Sequence, residues 1–528
     1  MCSYLFKIIV EKGNYRDSVT LMKVSNEVSK LKGVSQAAVL MATPLNKRFI
    51  TDAGFEGSEV EKAGPDDLII AIEAASGEVL QSSVSRVEEM LSSRASMEAE
   101  EIRPRTLASA VKVMPDANLA LISIPGRFAK REAMNALESG LDVFLFSSNV
   151  SREDEVELKE AAKTRSLLVM GPDCGTSIIN GVVLGFGNVV RRGSVGIVSA
   201  SGTGIQQVST LLDSEGLGIS HAIGTGGNDL SEKVGGMTTM EGIRLLEKDE
   251  DTRVIVLISK PPGPKTSATV LKAASRSSKP VVINFLGEGD AVASKQVRAV
   301  TLEDAARMAS GFVKGKRTGA RPFSDSESRV MSLAQSESSG MSKKQRYIRG
   351  LYSGGTLCYE SQVVLSPLIG EVFSNAPLKP EGRIEDANVS RENTCVDMGS
   401  EEFVVGRPHP MIDYSLRKNR ILQEARDPET AVVLLDVVLG YGSNEDPARE
   451  LRPTIVSAKK LAGAGGRYLS VVASIIGTRE DPQDIHKQAK ELASAGVVLM
   501  PSNAQAARFA ALVASKGAVG RKLFGNGR

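Results

Sequence analysis

Four short glycine-bearing stretches each follow an apolar run, and each could hold an anion. Ser199-Ala200-Ser201-Gly202-Thr203-Gly204 is the plainest. Where an apolar strand ends and a helix begins, the first N–H groups of the helix lack partners, and the helix dipole favours negative charge beside them. Ser199, Ser201 and Thr203 bring hydroxyl donors, while Gly202 and Gly204 let a guest approach the backbone. A second such turn holds Gly226, Gly227 and Asn228, a third Ser353, Gly354, Gly355 and Thr356, and a fourth Gly442, Ser443 and Asn444. One turn alone reads equally well as a helix cap, worth ~1 kcal/mol. Four of them point beyond capping, toward phosphate. The N–H groups of Gly202 and Thr203, facing those of Gly442 and Ser443, would supply preorganised donors for a phosphate and for a developing oxyanion.

The remaining chemistry-bearing groups are few. The chain has three histidines, His221, His409 and His486. His409 sits between two prolines in GRPHPMIDYSLR, where a Pro pair fixes an extended loop. Arg407 or Arg417 could grip a carboxylate there with two parallel hydrogen bonds. With Asp413 nearby, His409 is the candidate acid or base. The bland alternative is a structural turn carrying an exposed histidine. His221 reads as buried and structural, His486 as solvated. Cys174 lies at the tip of SLLVMGPDCG beside Asp173, and a packing or ligand-edge role fits it better than covalent catalysis. Cys358 and Cys395 read as small buried apolar residues. Lys260, ahead of Pro261 and Pro262, is either a rim cation or a solvated loop lysine.

The elements that must position these residues alternate strand and helix. Residues 1–100 suit a small α+β, ferredoxin-like unit with a docking role. Residues 101–192 carry the strands NLALISIPG, LDVFLFSSN and SLLVMGPDCG with helices between them, which predicts a parallel, Rossmann-like sheet. Ligands of such sheets sit at the carboxyl ends of the strands, so Asn149, Asp173 and Cys174 fall on one rim. Residues 193–315 predict a second parallel sheet of flavodoxin-like design. Residues 346–528 predict a third of the same kind. The Ser-, Lys- and Arg-rich stretch 316–345 reads as a linker. The expected class is α/β, with several parallel-sheet domains behind a small α+β domain.

Composition closes off other classes. With 528 residues, 41% hydrophobic and 24% charged, the chain is an ordinary multi-domain globular protein. A net charge of +2 gives no polyanion-binding signature, so nucleic acid is not an expected partner. The four cysteines, at 2, 174, 358 and 395, form no CxxC pair, and neither disulfides nor a metal are expected. No apolar run reaches the ~18 residues of a membrane span, and no signal peptide is visible. A cytoplasmic location is expected.

A resemblance narrows this reading. GPDCGTSIINGVVLGF, GIVSASGTGIQQV, HAIGTGGNDL, VIVLISKPPG and KPVVINFLG resemble the α subunit of succinyl-CoA synthetase. Residues 346–515 are similar to the carboxy-terminal domain of its β subunit. More specifically, YRDSVTLMKVS, ANLALISIPG, FSSNVSREDEVELK, VMGPDCGTS, ASGTGIQ, HAIGTGGNDL, SKPPG and GRPHPMID together resemble FdrA proteins over nearly the whole chain. That resemblance implies an oxamate carbamoyltransferase subunit of anaerobic allantoin and purine catabolism, which moves a carbamoyl group between oxalurate and phosphate to give oxamate and carbamoyl phosphate. It implies partner subunits and a homo- or hetero-oligomer, with inorganic phosphate as substrate.

Two departures from the ligase matter. No histidine lies between Ala222 and Pro408, so the ligase's phosphohistidine, expected after Gly287, is missing. The first segment is too short for an ATP-grasp half. CoA binding in the ligase manner is also disfavoured, because no GxGxxG turn precedes Asn118. An acyl-CoA ligase working with a partner subunit, and a non-catalytic scaffold, are the alternatives.

Overall fold

The computed structural model describes residues 5–14, 16, 18–55, 57–97, 104–287, 296–405 and 407–525. It divides into two compact units, 1–106 and 107–528.

The smaller unit runs β1 (Leu5–Glu11), α1 (Ser18–Ser29), β2 (Val34–Met41), α2 (Pro44–Asp52), α3 (Ser58–Lys62), β3 (Leu68–Ala74) and α4 (Gly77–Met97). Its antiparallel sheet has the order β1-β3-β2. Successive strand residues point to opposite faces, and both faces are covered here. Val39, Ile70 and Ile72 pack with Leu21, Val28 and Val87 of α1 and α4. Ile69 and Ala71 pack with Ile50 and Val60 of α2 and α3.

The larger unit opens with α5 (Leu107–Val113), β4 (Leu119–Ile122), α6 (Gly126–Glu138), β5 (Asp142–Leu145), α7 (Arg152–Thr164) and β6 (Val169–Met170). Strands β4, β5 and β6 form a parallel three-stranded sheet. Next come β7 (Thr176–Ile179), β8 (Val182–Gly185), β9 (Arg192–Ser199), α8 (Gly202–Ser214), β10 (Ile219–Gly224), α9 (Met237–Lys248), β11 (Val254–Ser259), α10 (Pro264–Ser275), β12 (Val281–Phe285), β13 (Gln296–Arg298) and α11 (Leu302–Val313). They build a seven-stranded sheet of order β13-β12-β11-β9-β10-β7-β8. The β7–β8 hairpin was expected with the preceding segment. It instead lies antiparallel along β10, where Ile178 pairs with Ala222 and Thr176, Ser177 and Ile178 are all buried.

Helix α12 (Glu327–Ser339) follows, then β14 (Tyr347–Tyr352), α13 (Gly355–Ile369), β15 (Phe373–Ser374), β16 (Thr394–Asp397), α14 (Glu401–Val404), α15 (Ser415–Arg426), β17 (Thr430–Val438), α16 (Pro447–Ala464), β18 (Ser470–Ile476), α17 (Ile485–Ser494), β19 (Val497–Met500) and α18 (Asn503–Ala514). The third sheet is wholly parallel, of order β15-β16-β14-β17-β18-β19. The stretch expected to be a linker holds α12. Ser326 caps it through the Arg329 N–H, and Val330 and Ala334, one turn apart, are buried in the core. Its polar residues cover the outer face, and composition hides two apolar anchors at helical spacing.

One apolar core joins the second and third sheets. It contains Val208 and Leu212 of α8, Ala305 and Ala309 of α11, Leu357 and Leu365 of α13, and Phe509 and Leu512 of α18. These helices lie between the sheets, so the starts of α8 and α13 are held at fixed positions. No helix among the described residues is long and apolar enough to cross a membrane.

Candidate functional site

Helices α8 and α13 begin against each other. The first follows the buried strand β9, and Ser199 braces the turn: its Oγ accepts the Ser201 N–H and donates to the Ser201 carbonyl, both at 2.9 Å. The Ser201 Oγ accepts the Gly204 N–H at 2.8 Å and so caps α8. The Ser199 hydroxyl is thus spent on the turn, whereas Ser201 uses only an acceptor lone pair as the cap. The free donors of α8 are the N–H groups of Gly202 and Thr203, which have no carbonyl four residues back within the helix. Thr203 then meets Gly354, the N-cap of α13: a Cβ on Gly354 would lie 2.8 Å from Thr203 Cγ2 and 3.1 Å from its Oγ1. Any side chain at position 354 would press on Thr203 there.

The α13 start is braced from behind. The Ser353 N–H and Oγ–H and the Gly354 N–H all donate to the Asp436 carboxylate, at 2.8 to 3.1 Å. Arg417 Nη2 donates to the same carboxylate at 2.9 Å and to the Leu351 and Asp436 carbonyls. Arg417 and Asp436 are both 0% exposed. With that clamp below, the N–H groups of Gly355 and Thr356 remain at the open end of the helix.

Titratable groups surround the two helix starts. Asp397, at the tip of β16, accepts the Gly399 N–H at 3.0 Å, and its Oδ2 abuts Gly355, where a Cβ would lie 2.4 Å away. Burial raises the Asp397 pKa, and Lys260 opposes the rise. Lys260 stands one residue past β11, its Nζ 5.8 Å from the centre of the Tyr359 ring. Asp173 stands beside Gly227 as an exposed residue whose carboxyl is partly desolvated by the surrounding chain. That desolvation pushes it up to about 6, Glu401 and Asp397 adding to the rise and Lys260 opposing it. His409 lies beside Gly399, whose Cβ would sit 2.8 Å from Nε2, and its ring centre is 5.9 Å from that of Phe186. The Met411 N–H donates to His409 Nδ1 at 3.2 Å, so the neutral ring carries its proton on Nε2. Burial lowers the His409 pKa to about 4, with Arg417 adding and Asp436 opposing.

Several residues expected at the site serve elsewhere. Only two of the four glycine turns start helices. Gly226, Gly227 and Asn228 sit in a loop nine residues or more ahead of α9, which begins after Gly236. They still flank the site: a Cβ on Gly226 would lie 2.1 Å from the Pro172 carbonyl, and one on Gly227 would lie 3.5 Å from Asp173 Oδ2. Gly442, Ser443 and Asn444 do not face α8. Gly442 packs on Phe186, Ser443 donates to the Leu439 carbonyl, and Asn444 ties down Met411 and Ile412. The partner of Thr203 is Gly354, because β14 and not β17 feeds the helix that crosses α8.

Arg417 cannot hold a substrate carboxylate, being enclosed with Asp436. Asp413 accepts the Ser415 N–H at 2.8 Å and fixes the start of α15. Arg407 is exposed on its loop. Cys174 is buried against the Thr176 carbonyl and the Ser177 hydroxyl, each 3.6 Å from Sγ, and burial pushes its thiol up to about 11, so it packs and does not attack. Asn149 lines a separate cleft of about 510 Å³ at the start of α6, with Pro125, Gly126, Arg127 and Ser147. His221 is tied to Asn180 and lies away from this group.

Asp397 and Asp436 were not anticipated. Each stands near the carboxyl end of an otherwise apolar strand, TCVD and TAVVLLDVV, and an acid inside a buried parallel strand is a legible signal. Residues 288–295, where a ligase's phosphohistidine loop would fall, lie outside the described residues.

Comparison with known proteins places the parts in families. Residues 192–313 match the succinyl-CoA ligase like flavodoxin domain, 351–513 the CoA-ligase family, and 4–105 the family described as AllF, heavy metal-associated domain. The Escherichia coli (strain K12) protein titled "Uncharacterized protein YahF" is 43% identical over 498 residues, covering 94% of this chain and 96% of its own. The α subunit 2 of the ADP-forming succinate–CoA ligase of Archaeoglobus fulgidus is 32% identical over 171 residues, 32% of this chain and 58% of that subunit. A solved dinucleotide-forming acetyl-coenzyme A synthetase 1 of Ca. Korarchaeum cryptofilum aligns at 17% identity over 78% of this chain and 85% of its own, with a TM-score of 0.30.

The name of the first family raises a heavy metal, and the donors of this unit do not fit one. Soft metals take thiolate or imidazole ligands. Residues 1–106 contain no histidine and a single cysteine, Cys2, which lies outside the described residues. No group of three metal-ligating side chains occurs among the described residues.

Proposed function

The chain belongs to the YahF family and is built on the succinyl-CoA ligase-like architecture, and from that premise we propose that it is an acyl-CoA-synthetase-like enzyme transferring an acyl group to or from phosphate. The observation that carries this reading is the meeting of the α8 and α13 starts, Thr203 against Gly354, with Lys260 beside them. Two sets of first-turn N–H groups and one ammonium suit a phosphate dianion. The same donors suit the oxyanion that forms when a phosphate oxygen attacks an acyl carbon. In that step the new P–O–C bond forms, the bond from the acyl carbon to its former nitrogen or sulfur breaks, and the departing atom takes a proton. Asp173, with a pKa of about 6, is placed to give that proton and to recover it in the reverse direction. His409 is a neutral donor at Nε2, since its pKa of about 4 leaves it uncharged at neutral pH.

The narrower reading concerns the acyl group and its acceptor. The absence of a histidine between Ala222 and Pro408 favours direct transfer over a phosphorylated enzyme. The resemblance to FdrA proteins favours carbamoyl as the group moved, between oxalurate and phosphate. The CoA-ligase family matches favour a second reading, in which CoA thiolate is the acceptor and a partner subunit supplies the nucleotide site. One experiment addresses both. The purified chain is given carbamoyl phosphate with oxamate, or succinyl phosphate with CoA, without nucleotide, and phosphate release is followed. Acceptor-dependent release that is lost in Lys260→Ala is expected, and the productive acceptor identifies the group moved. Release only with ATP, succinate and CoA, together with a labelled phosphoenzyme, would overturn direct transfer.

A further inference from the structure

Strand β1 has the sequence of an interior strand but the position of an edge. Five of its seven residues, Leu5, Phe6, Ile8, Ile9 and Val10, are apolar, and they fall on both faces. Ile8 and Val10 pack on the cluster under α2 and α3, Ile9 on the cluster under α1 and α4. A strand apolar on both faces belongs inside a covered sheet. Yet β1 pairs with β3 along its whole length and with no other strand among the described residues. None of its residues is fully buried, whereas six of the seven in β3 are. Leu5 and Phe6 are 49% and 56% exposed. A long, flat, apolar edge is a template for another strand.

We propose that β1 of a second copy occupies this edge, joining two three-stranded sheets into one of six strands. In an antiparallel pair, opposed residues point to the same face, so a two-fold axis must pass a single residue and not fall between two. Centring on Ile8 or Val10 would set Glu11 against Leu5 or Ile9. Centring on Ile9 sets Ile9 against Ile9, Ile8 against Val10 and Lys7 against Glu11, the last two pairs occurring twice. Charge complementarity thus selects one register, and it is self-complementary, as a two-fold interface requires. Glu11 is already oriented, its carboxylate accepting a hydrogen bond from Asn14 Nδ2 at 2.6 Å.

The test is sedimentation velocity of the full-length chain across a concentration series. Lys7→Glu and Glu11→Lys each place like charges in two opposed pairs. Each is expected to weaken self-association at least tenfold, at about the size of cross-strand charge pairs. An equimolar mixture of the two variants makes both pairs opposite in charge again and is expected to associate within about threefold of the natural chain. The double variant should do the same. Circular dichroism of each variant confirms that these surface changes leave the fold intact. Single variants that associate like the natural chain, or a mixture that stays dissociated, would overturn the proposal. A natural chain whose outward-facing β1 amides, the alternate ones not bonded to β3, resist hydrogen exchange in the monomer would also overturn it, since another segment of its own chain would then hold the edge.

Discussion

Neighbours decide what Asp173 and His409 can do. Partial desolvation pushes Asp173 up to about 6 while burial takes His409 down to about 4. Groups whose pKa values are driven apart can take different roles at one pH. Asp173 changes protonation near neutrality and His409 does not. For the transfer reaction, the pH–rate profile should therefore bend near pH 6. Asp173→Asn should remove the bend, and His409→Gln should lower the rate by the same factor at pH 6.5 and pH 8. A bend that survives Asp173→Asn and vanishes in His409→Gln would reverse the two roles. Residue types in sequence pointed to His409, Arg407, Arg417 and Asp413 as one loop of reactive groups. The fold separates them, since Arg417 turns inward to Asp436 and Asp413 secures a helix start. Adjacency along the chain carried no information about which way each side chain would face.

At the scale of elements, the contact that matters is between two helix starts. Adding a methyl at Gly354 sets it 2.8 Å from Thr203 Cγ2 and 3.1 Å from Oγ1, so Thr203, and with it the α8 start, must give way. The backbone at Gly354 is extended, with φ near −103°, so the cost of Gly354→Ala is steric and falls on the gap between the helices. Phosphate affinity, read by isothermal titration, should fall at least tenfold in Gly354→Ala, with a change in melting temperature of only a few degrees. Thr203→Ser in the same chain removes Cγ2 and should restore much of the loss. No rescue would mean that Gly354 acts through its own backbone and not through this contact. The strands, the parallel sheets and the α8 start were legible from apolar runs ending in Ser, Gly and Thr. Which start faces α8 was not, because Gly354 and Gly442 end equivalent-looking strands. Only the strand order β16-β14-β17 decides between them. The helix α12 was equally hidden, its burial resting on Val330 and Ala334 alone.

Across the larger unit, the two sheets are joined through a core that also contains carboxylates. Glu360 of α13 is 1% exposed and accepts the Leu302 N–H at 2.6 Å and Asn503 Nδ2 at 2.8 Å, tying the starts of α11 and α18 to α13. Beside it, Glu303 accepts from Ser502 and Gln505. Burial pushes Glu360 up to about 7 from an unfolded value near 4.5, its hydrogen bonds opposing. Between those two pH values the folded chain keeps a proton that the unfolded chain has released. Stability from this group is therefore complete below pH 4.5 and is lost as pH rises toward 7. The gap between 4.5 and about 7 caps the loss at roughly 3 kcal/mol. Glu360→Gln keeps an oxygen for the Leu302 N–H and cannot ionise. Urea unfolding at pH 5 and pH 8 should then show a smaller fall in stability for Glu360→Gln than for the natural chain. Since α13 supplies one of the two helix starts, phosphate affinity should follow the same trend. Equal pH slopes for the two proteins would show that Glu360 is ionised in the folded core and that its hydrogen bonds fully offset its burial.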